Sequence, residues 1–396
     1  MKNERLLLFV LAGIQFTTIM DFMIMMPLGP QFKRIFQMGP ELWSSVISSY
    51  TFAAAFSGLL AIFFLDFVDR RKALLFLYAG FIAATCMVGF ADTVEFLLFS
   101  RALTGVFGGI IGALILAIVG DLIPNERRGR AVGIVMTGFS AAASLGVPLG
   151  LLLGTNFGWH VAFFMIAGIS LILLGFTYRL VPSIIPQREK IGSLAAQSWS
   201  GIRNVFTDAN QLKALLFMML IIFGQFAVIP FISPYMVANV GFAEVQLTYI
   251  YLAGGILTVF TSPLVGKLSD KYGRQRTFLV MMLVSLIPIY AITNMGGSPI
   301  WVVLIFSSMF FIFAAGRMIP ASAIVIGTAH PNYRGTFMSV RSAVVSLGQG
   351  VAAYTAGMII IETPSGLFER YDWIGYLSLA TSILSYFLLR KIKDRY

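Results

Sequence analysis

Apolar residues in this chain come in runs of roughly twenty or more, separated by short clusters of charged, glycine and proline residues. That length suits helices crossing a ~30 Å hydrocarbon layer at 1.5 Å per residue. Taking the polar clusters as ends predicts helices over 6–29, 43–65, 73–91, 95–123, 131–154 and 159–180. Six more follow over 213–238, 246–266, 277–296, 300–329, 335–361 and 372–391. The expected class is an all-α membrane protein: twelve transmembrane helices in two pseudo-symmetric six-helix bundles, 1–180 and 213–396, joined by a cytoplasmic linker over 181–212.

Composition fits that pattern. Hydrophobic residues make up 58% of the 396 and charged residues 11%, too few to shield so much apolar surface from water. The first run starts at Leu6 with no polar leader and no small-residue cleavage site, so it is expected to be a retained span. A formal charge of +11 suits a nucleic-acid binder, but the positions of the charges point to a membrane. Twenty-two of the 28 lysines and arginines fall on the side that twelve spans assign to both termini, against Lys33, Arg34 and Arg370 on the other. By the positive-inside rule both termini are expected in the cytoplasm, in the inner (plasma) membrane. The lone Cys86 and the distant His160 and His330 exclude an intrachain disulfide and argue against a metal site. No cofactor and no nucleic-acid partner are expected, and the chain is expected to work as a monomer among lipids.

The two halves echo one another. Asp66 and Arg70 recur as Asp270 and Arg274, while Ala117-Ile118-Val119 and Arg128-Gly129 recur as Ala323-Ile324-Val325 and Arg334-Gly335. Two separate loops thus indicate one duplication. Between the halves, Ile191, Leu194, Trp199, Ile202 and Phe206 have helix-like spacing within 187–211. An amphipathic helix on the cytoplasmic interface is expected there, with a disordered linker as the alternative.

Charges inside spans carry the candidate chemistry. A bare carboxylate at Asp21 costs several kcal/mol in hydrocarbon and tends to bind a proton, which makes it the proton-carrier candidate. Counted from their outer ends, Asp21 and Arg101 lie at roughly 12 and 9 Å depth, level enough to pair. Protonating Asp21 would free Arg101, so proton and solute could compete for one state; a static ion pair that only fixes packing is the alternative. Asp66, Arg70 and Asp121 are candidates for a charge network at the cytoplasmic end, and loop solvation is the plainer alternative. At the offset of 206, Asp21, Arg101 and Asp121 map to Ala227, Ser307 and Gly327, so proton handling is expected in the first half. Arg317 and Arg341 are candidates for an anionic or polar solute or for lipid headgroups. At roughly 20 Å from the cytoplasmic end, Arg317 is too deep to snorkel. Gly146, Pro148 and Gly150 suit a hinge in the fifth span. Tyr50, Gln225, Tyr251, Asn294, Gln349 and Tyr354, with the two arginines, are the candidate solute contacts.

The loop from Gly266 through Asp270 and Gly273-Arg274 to Arg276 resembles the Gly-x-x-x-Asp-Arg/Lys-x-Gly-Arg-x-Arg/Lys signature of the major facilitator superfamily. Arg101 with Gly105, and Gly146-Val147-Pro148-Leu149-Gly150 followed by Gly154 and Gly158-Trp159, resemble signatures of its twelve-helix proton-coupled antiporters. The first loop copy departs, with Phe67 and Asp69 where the signature has a basic residue and glycine. The resemblance implies alternating access, with Asp66 capping the start of the eleventh helix near Arg334–Ser339 and the loops acting as gates. Its efflux branch implies export of a small organic solute, drug-like or sugar-like, against proton entry. An uptake symporter uses the same fold. A membrane receptor or enzyme is the other class, and no nucleophile near a histidine, metal-ligand spacing or phosphate loop supports it.

Overall fold

Lipid offers peptide groups no hydrogen-bond partners, so an apolar chain in a membrane must satisfy its backbone within helices. The computed structural model describes residues 4–64, 68–184, 200–330 and 334–393, and most of these residues are helical. Twelve helices among them are long and apolar enough to span a membrane. In chain order the helices are α1 (Glu4–Ile24), α2 (Gly29–Phe36), α3 (Pro40–Phe64), α4 (Arg70–Gly89), α5 (Val94–Leu122), α6 (Asn125–Ala141), α7 (Val147–Phe157) and α8 (Trp159–Leu180). A short helix α9 over 200–207 precedes α10 (Ala209–Ala238), α11 (Leu247–Tyr272), α12 (Arg274–Thr293), α13 (Ile300–Gly327), α14 (Arg334–Ile359) and α15 (Tyr371–Leu389). Helix α2 is too short to span, and α6 with α7 makes the fifth span.

Local chemistry sets the ends. The Thr93 hydroxyl accepts from the Phe96 N–H at the start of α5, and Asp208 accepts from the Asn210 N–H at the start of α10, each satisfying one of the unpaired donors of a first turn. Between α6 and α7 the ladder slips by one residue over Ala142–Gly146, where the Val147 N–H reaches back five residues to the Ala142 carbonyl. Pro148, which has no N–H and a ring that crowds the preceding turn, follows at once.

The chain divides into two compact units, Met1–Met25 with Ser49–Ser200, and Met26–Ser48 with Gly201–Tyr396. In the first, α1 packs on α6, α7 and α8, and α4 on α5 and α8. In the second, α10 packs on α14 and α15, and α12 on α13 and α15. These are the same pairings six spans later, so the duplication seen in two loops extends to the helix packing. Segment 26–48 lies outside the repeat: it is first-half sequence, yet it packs with the second unit. Trp43 donates to the Pro230 carbonyl at 3.0 Å, and α2 lies along α10.

Burial in lipid-embedded helices gains little from the hydrophobic effect, since a lipid tail is as apolar as a leucine; close packing must supply the attraction. Leu7, Leu11 and Ile14 of α1, Leu74, Tyr78 and Phe81 of α4, and Ile111, Leu114 and Ile118 of α5 form the interior of the first unit. Small residues let the backbones approach. A methyl group at Gly138 would strike the Ala12 carbonyl of α1, and one at Gly105 the Tyr50 carbonyl of α3.

Three features depart from the sequence expectation. Helix α1 stops at Ile24, where 6–29 was expected, and residues 25–28 turn into α2, which the sequence reading did not anticipate. A two-stranded hairpin, β1 (Ile361–Glu362) and β2 (Phe368–Glu369), joins α14 to α15. Of the linker helix, 200–207 is helical, with Val205 buried, Ile202 half-buried and Phe206 exposed; Ile191, Leu194 and Trp199 lie outside the described residues.

Candidate functional site

Asp21 sits in the last turn of α1, where the unpaired helix carbonyls disfavour a negative charge. A carboxylate there, fully buried, needs donors from elsewhere, and it has them. Arg101 of α5 donates from Nη1 to Oδ2 at 2.8 Å, and Thr85 of α4 donates its hydroxyl to Oδ1 at 3.1 Å. Both members of the ion pair are at most 1% exposed.

The guanidinium also lies 4.7 Å from the ring centre of Tyr50, which itself stacks on Phe22 at 5.0 Å. Arg101 is thus held by a carboxylate edge and an aromatic face, while its Nε has no hydrogen-bond partner. Such a cluster is stable as an ion pair, and it holds the arginine only while the acid keeps its charge. Next to it on α1, Thr17 shares a hydrogen bond of 2.8 Å with Tyr78 of α4.

Glycines bring this machinery together. Gly146 faces Met20 and Phe16 of α1 at 3.0–3.1 Å from an added methyl position, and Gly150 faces Ile24 and Met20 at 2.9 Å. The glycines beside the slipped turn therefore pack against the turn that carries Asp21. Gly138 continues the same contact further along α1, so the close approach extends beyond the Gly146–Gly150 cluster. Gly105, four residues after Arg101, lets α5 touch the Tyr50 backbone.

The loop residues are more scattered. Asp66 lies outside the described residues, as does the side chain of Arg334. Arg70 donates to Asp121 at 3.2 Å across the ends of α4 and α5. Asp69 is not a strained stand-in for glycine: its φ is −52°, and its side chain caps α4 by accepting from the Lys72 N–H at 2.9 Å and from the Ser183 hydroxyl. Burial pushes its carboxyl pKa up, but Ser183 and the Lys72 and Arg71 N–H groups outweigh that and hold it below the ordinary value. In the second copy Gly273 does need to be glycine, with φ of 90° between α11 and α12. Asp270 and Arg274 beside it are exposed, and Gly266 is half-buried within α11.

Of the candidate solute contacts, Tyr50 joins the Asp21 cluster. Tyr251 is buried, its hydroxyl 2.7 Å from that of Ser233. Gln225 is half-buried with its carbonyl oxygen unsatisfied, and Gln349 is half-buried. Arg341 donates to Ser322 at 2.9 Å. Arg317 is buried between α12 and α15. Asn294 and Tyr354 are exposed, Asn294 at the C-cap of α12. Sequence reasoning missed Thr85, one threonine within an apolar run. It also missed the partners of the lone outer cations. Lys33 of α2 meets Glu362 at 2.7 Å with its Nζ 3.9 Å from the Phe368 ring centre, and Arg34 pairs with Glu244. Burial lowers the Lys33 pKa despite Glu362.

A twelve-span protein with two repeated helix bundles and a buried ion pair in one of them has the build of a membrane transporter. The sequence profile of the Major Facilitator Superfamily matches residues 11–227 and again 214–395, and the chain belongs to that superfamily. It is 23% identical over 365 residues to a probable sugar efflux transporter of Helicobacter pylori (strain G27), covering 92% of this chain and 89% of that one. It is 27% identical over 291 residues to the multidrug resistance protein MdtG of Klebsiella pneumoniae (strain 342), covering 69% and 67%. A solved D-xylose-proton symporter shares the fold, with a TM-score of 0.76 at 17% identity over 99% of this chain and 98% of that one.

Proposed function

We propose that this transporter is a proton-coupled antiporter of the inner membrane, with both termini cytoplasmic, that exports a small drug-like or sugar-like solute. The observation that carries this reading is the fully buried Asp21 held by Arg101 and Thr85. Intramembrane acids are costly to keep and commonly mark proton paths. When Asp21 takes a proton, Arg101 loses its carboxylate and is left with the Tyr50 ring and an unused Nε, so the cluster has two states whose balance a solute can shift. Export is supported by the sugar-efflux and multidrug-resistance names of the two relatives. The symporter shares only the fold, and fold does not fix direction.

In this reading Asp21 carries the proton, Arg101 senses its charge, and the slipped turn before Pro148 is the hinge. The loops around Asp66, Arg70, Asp121, Gly266, Asp270, Gly273 and Arg274 gate the cytoplasmic side. The test loads cells expressing the protein with ethidium or a radiolabelled hexose and imposes a gradient acidic outside. Lower retention of either probe, lost in Asp21→Asn, is the expected result. Gradient-driven accumulation would make the protein an uptake symporter instead. Gradient-driven export that survives Asp21→Asn would remove this acid from the mechanism.

A further inference from the structure

Arg317 lies near the middle of α13, ten residues from its C-terminal end, and is 1% exposed. Its Nη1 donates to the Ser382 hydroxyl of α15 at 2.9 Å and reaches the Ser285 hydroxyl of α12 at 3.4 Å. Ser285 passes its own proton to the Met282 carbonyl at 2.7 Å, so it serves the arginine as an acceptor. The Nε and Nη2 atoms are buried and have no hydrogen-bond partner. These two N–H groups form the side-on edge of a guanidinium, the parallel pair that binds a carboxylate in bidentate fashion.

Among the described residues, no carboxylate pairs with this charge. Helices α10, α12, α13 and α14 contain no Asp or Glu, α11 has only Asp270 in its last turn, and α15 only Asp372 in its first. Asp372 is ten residues from Ser382, about 15 Å along the helix. An arginine at this depth cannot shed its charge readily and cannot reach the headgroups, and leaving Nε and Nη2 dry is costly. In the first unit Asp21 supplies the missing charge. In the second, no acid among the described residues does so.

We propose that the Nε/Nη2 edge of Arg317 is a binding site for a small monovalent anion, with Ser382 and Ser285 fixing the guanidinium from the other side. The shared chemistry is one negative acceptor of halide or carboxylate size, and the source is either chloride from the medium or the carboxylate of a small organic acid. The site shares no residue with the Asp21 cluster, and the inference holds whichever way solute moves.

The test measures thermal unfolding of the purified protein in detergent, in sodium methanesulfonate at constant ionic strength, titrated with chloride or with acetate. A saturable rise in midpoint of roughly 2–4 °C is expected with at least one anion. Chloride alone acting identifies an inorganic counterion, and acetate acting identifies a carboxylate site. Arg317→Met removes the charge at similar volume and should abolish the response while unfolding no earlier than the parent in anion-free buffer. Should that variant fail to fold, Ser382→Ala, which loosens the guanidinium, should shift the titration midpoint several-fold upward. No response to either anion overturns the proposal, as does a response that persists in Arg317→Met or is unmoved in Ser382→Ala.

Discussion

Each unit buries one arginine almost completely, and the two are answered differently. Arg101 has a carboxylate, a tyrosine face and a threonine that shares its partner. Arg317 has two serine hydroxyls and, among the described residues, no acid. The repeated helix packing therefore does not repeat the electrostatics. At the positions matching Asp21 and Arg101 the second half has Ala227 and Ser307, and Arg317 falls elsewhere on its span. A duplicated scaffold can thus keep a buried ion pair in one copy and leave the other to handle its buried charge by other means.

The largest predicted effect breaks the first of these arrangements. Asp21→Ala leaves Arg101 buried without its acid and should cost about 3–5 kcal/mol of stability, read as an early thermal unfolding in detergent. Adding Arg101→Met to it should recover most of the loss. By contrast Arg317→Met, which removes an arginine that had no acid to lose, should cost nothing in anion-free buffer. Equal losses from Asp21→Ala and Arg317→Met would mean that the two arginines are neutralised in the same way.

Next in size are the glycines that bring the helices together. Gly105→Ala and Gly138→Ala push a methyl group into the backbone carbonyls of Tyr50 and Ala12, and each should cost about 1–3 kcal/mol by overpacking. Gly266→Ala in the second unit meets nothing within 4 Å and should be neutral or stabilising by about 0.5–1 kcal/mol. If Gly266→Ala leaves stability intact and lowers transport, the residue serves movement. If transport is also unchanged, Gly266 plays no part in the gate.

How much of this could be read from sequence follows from how rare each signal is. A charge in an apolar run stands out, so the spans and the pairing of Asp21 with Arg101 were legible from composition and helix depth alone. Thr85 was not, because a threonine in such a run carries no mark of where it points. Ser285 and Ser382 are 32 and 65 residues from Arg317, and neither serine is marked in the sequence as facing it, so only the packed bundle brings them together. The docking of segment 26–48 on the second unit was also hidden: Lys33 and Glu362 are 329 residues apart, and one cation and one anion at that separation give no pattern. Asp69 was legible only as a departure from the loop signature, while its place before a helix start is where an aspartate is favoured as a cap.

The smallest effects sharpen the comparison between the two loop copies. Gly273→Ala forces a side chain into a positive-φ position and should cost about 1–2 kcal/mol, whereas Asp69→Ala loses a helix cap worth about 1 kcal/mol. Only the second loss should depend on pH. The folded-state pKa of Asp69 is held below its ordinary value, so its contribution is present above the unfolded carboxylate pKa of about 3.9 and lost as pH falls through the folded value. Unfolding midpoints of parent and Asp69→Ala should therefore differ at pH 7 and converge below about pH 4, while the gap between parent and Gly273→Ala stays constant. A gap for Asp69→Ala that ignores pH would mean that the side chain stabilises the loop by packing and not as a charged cap.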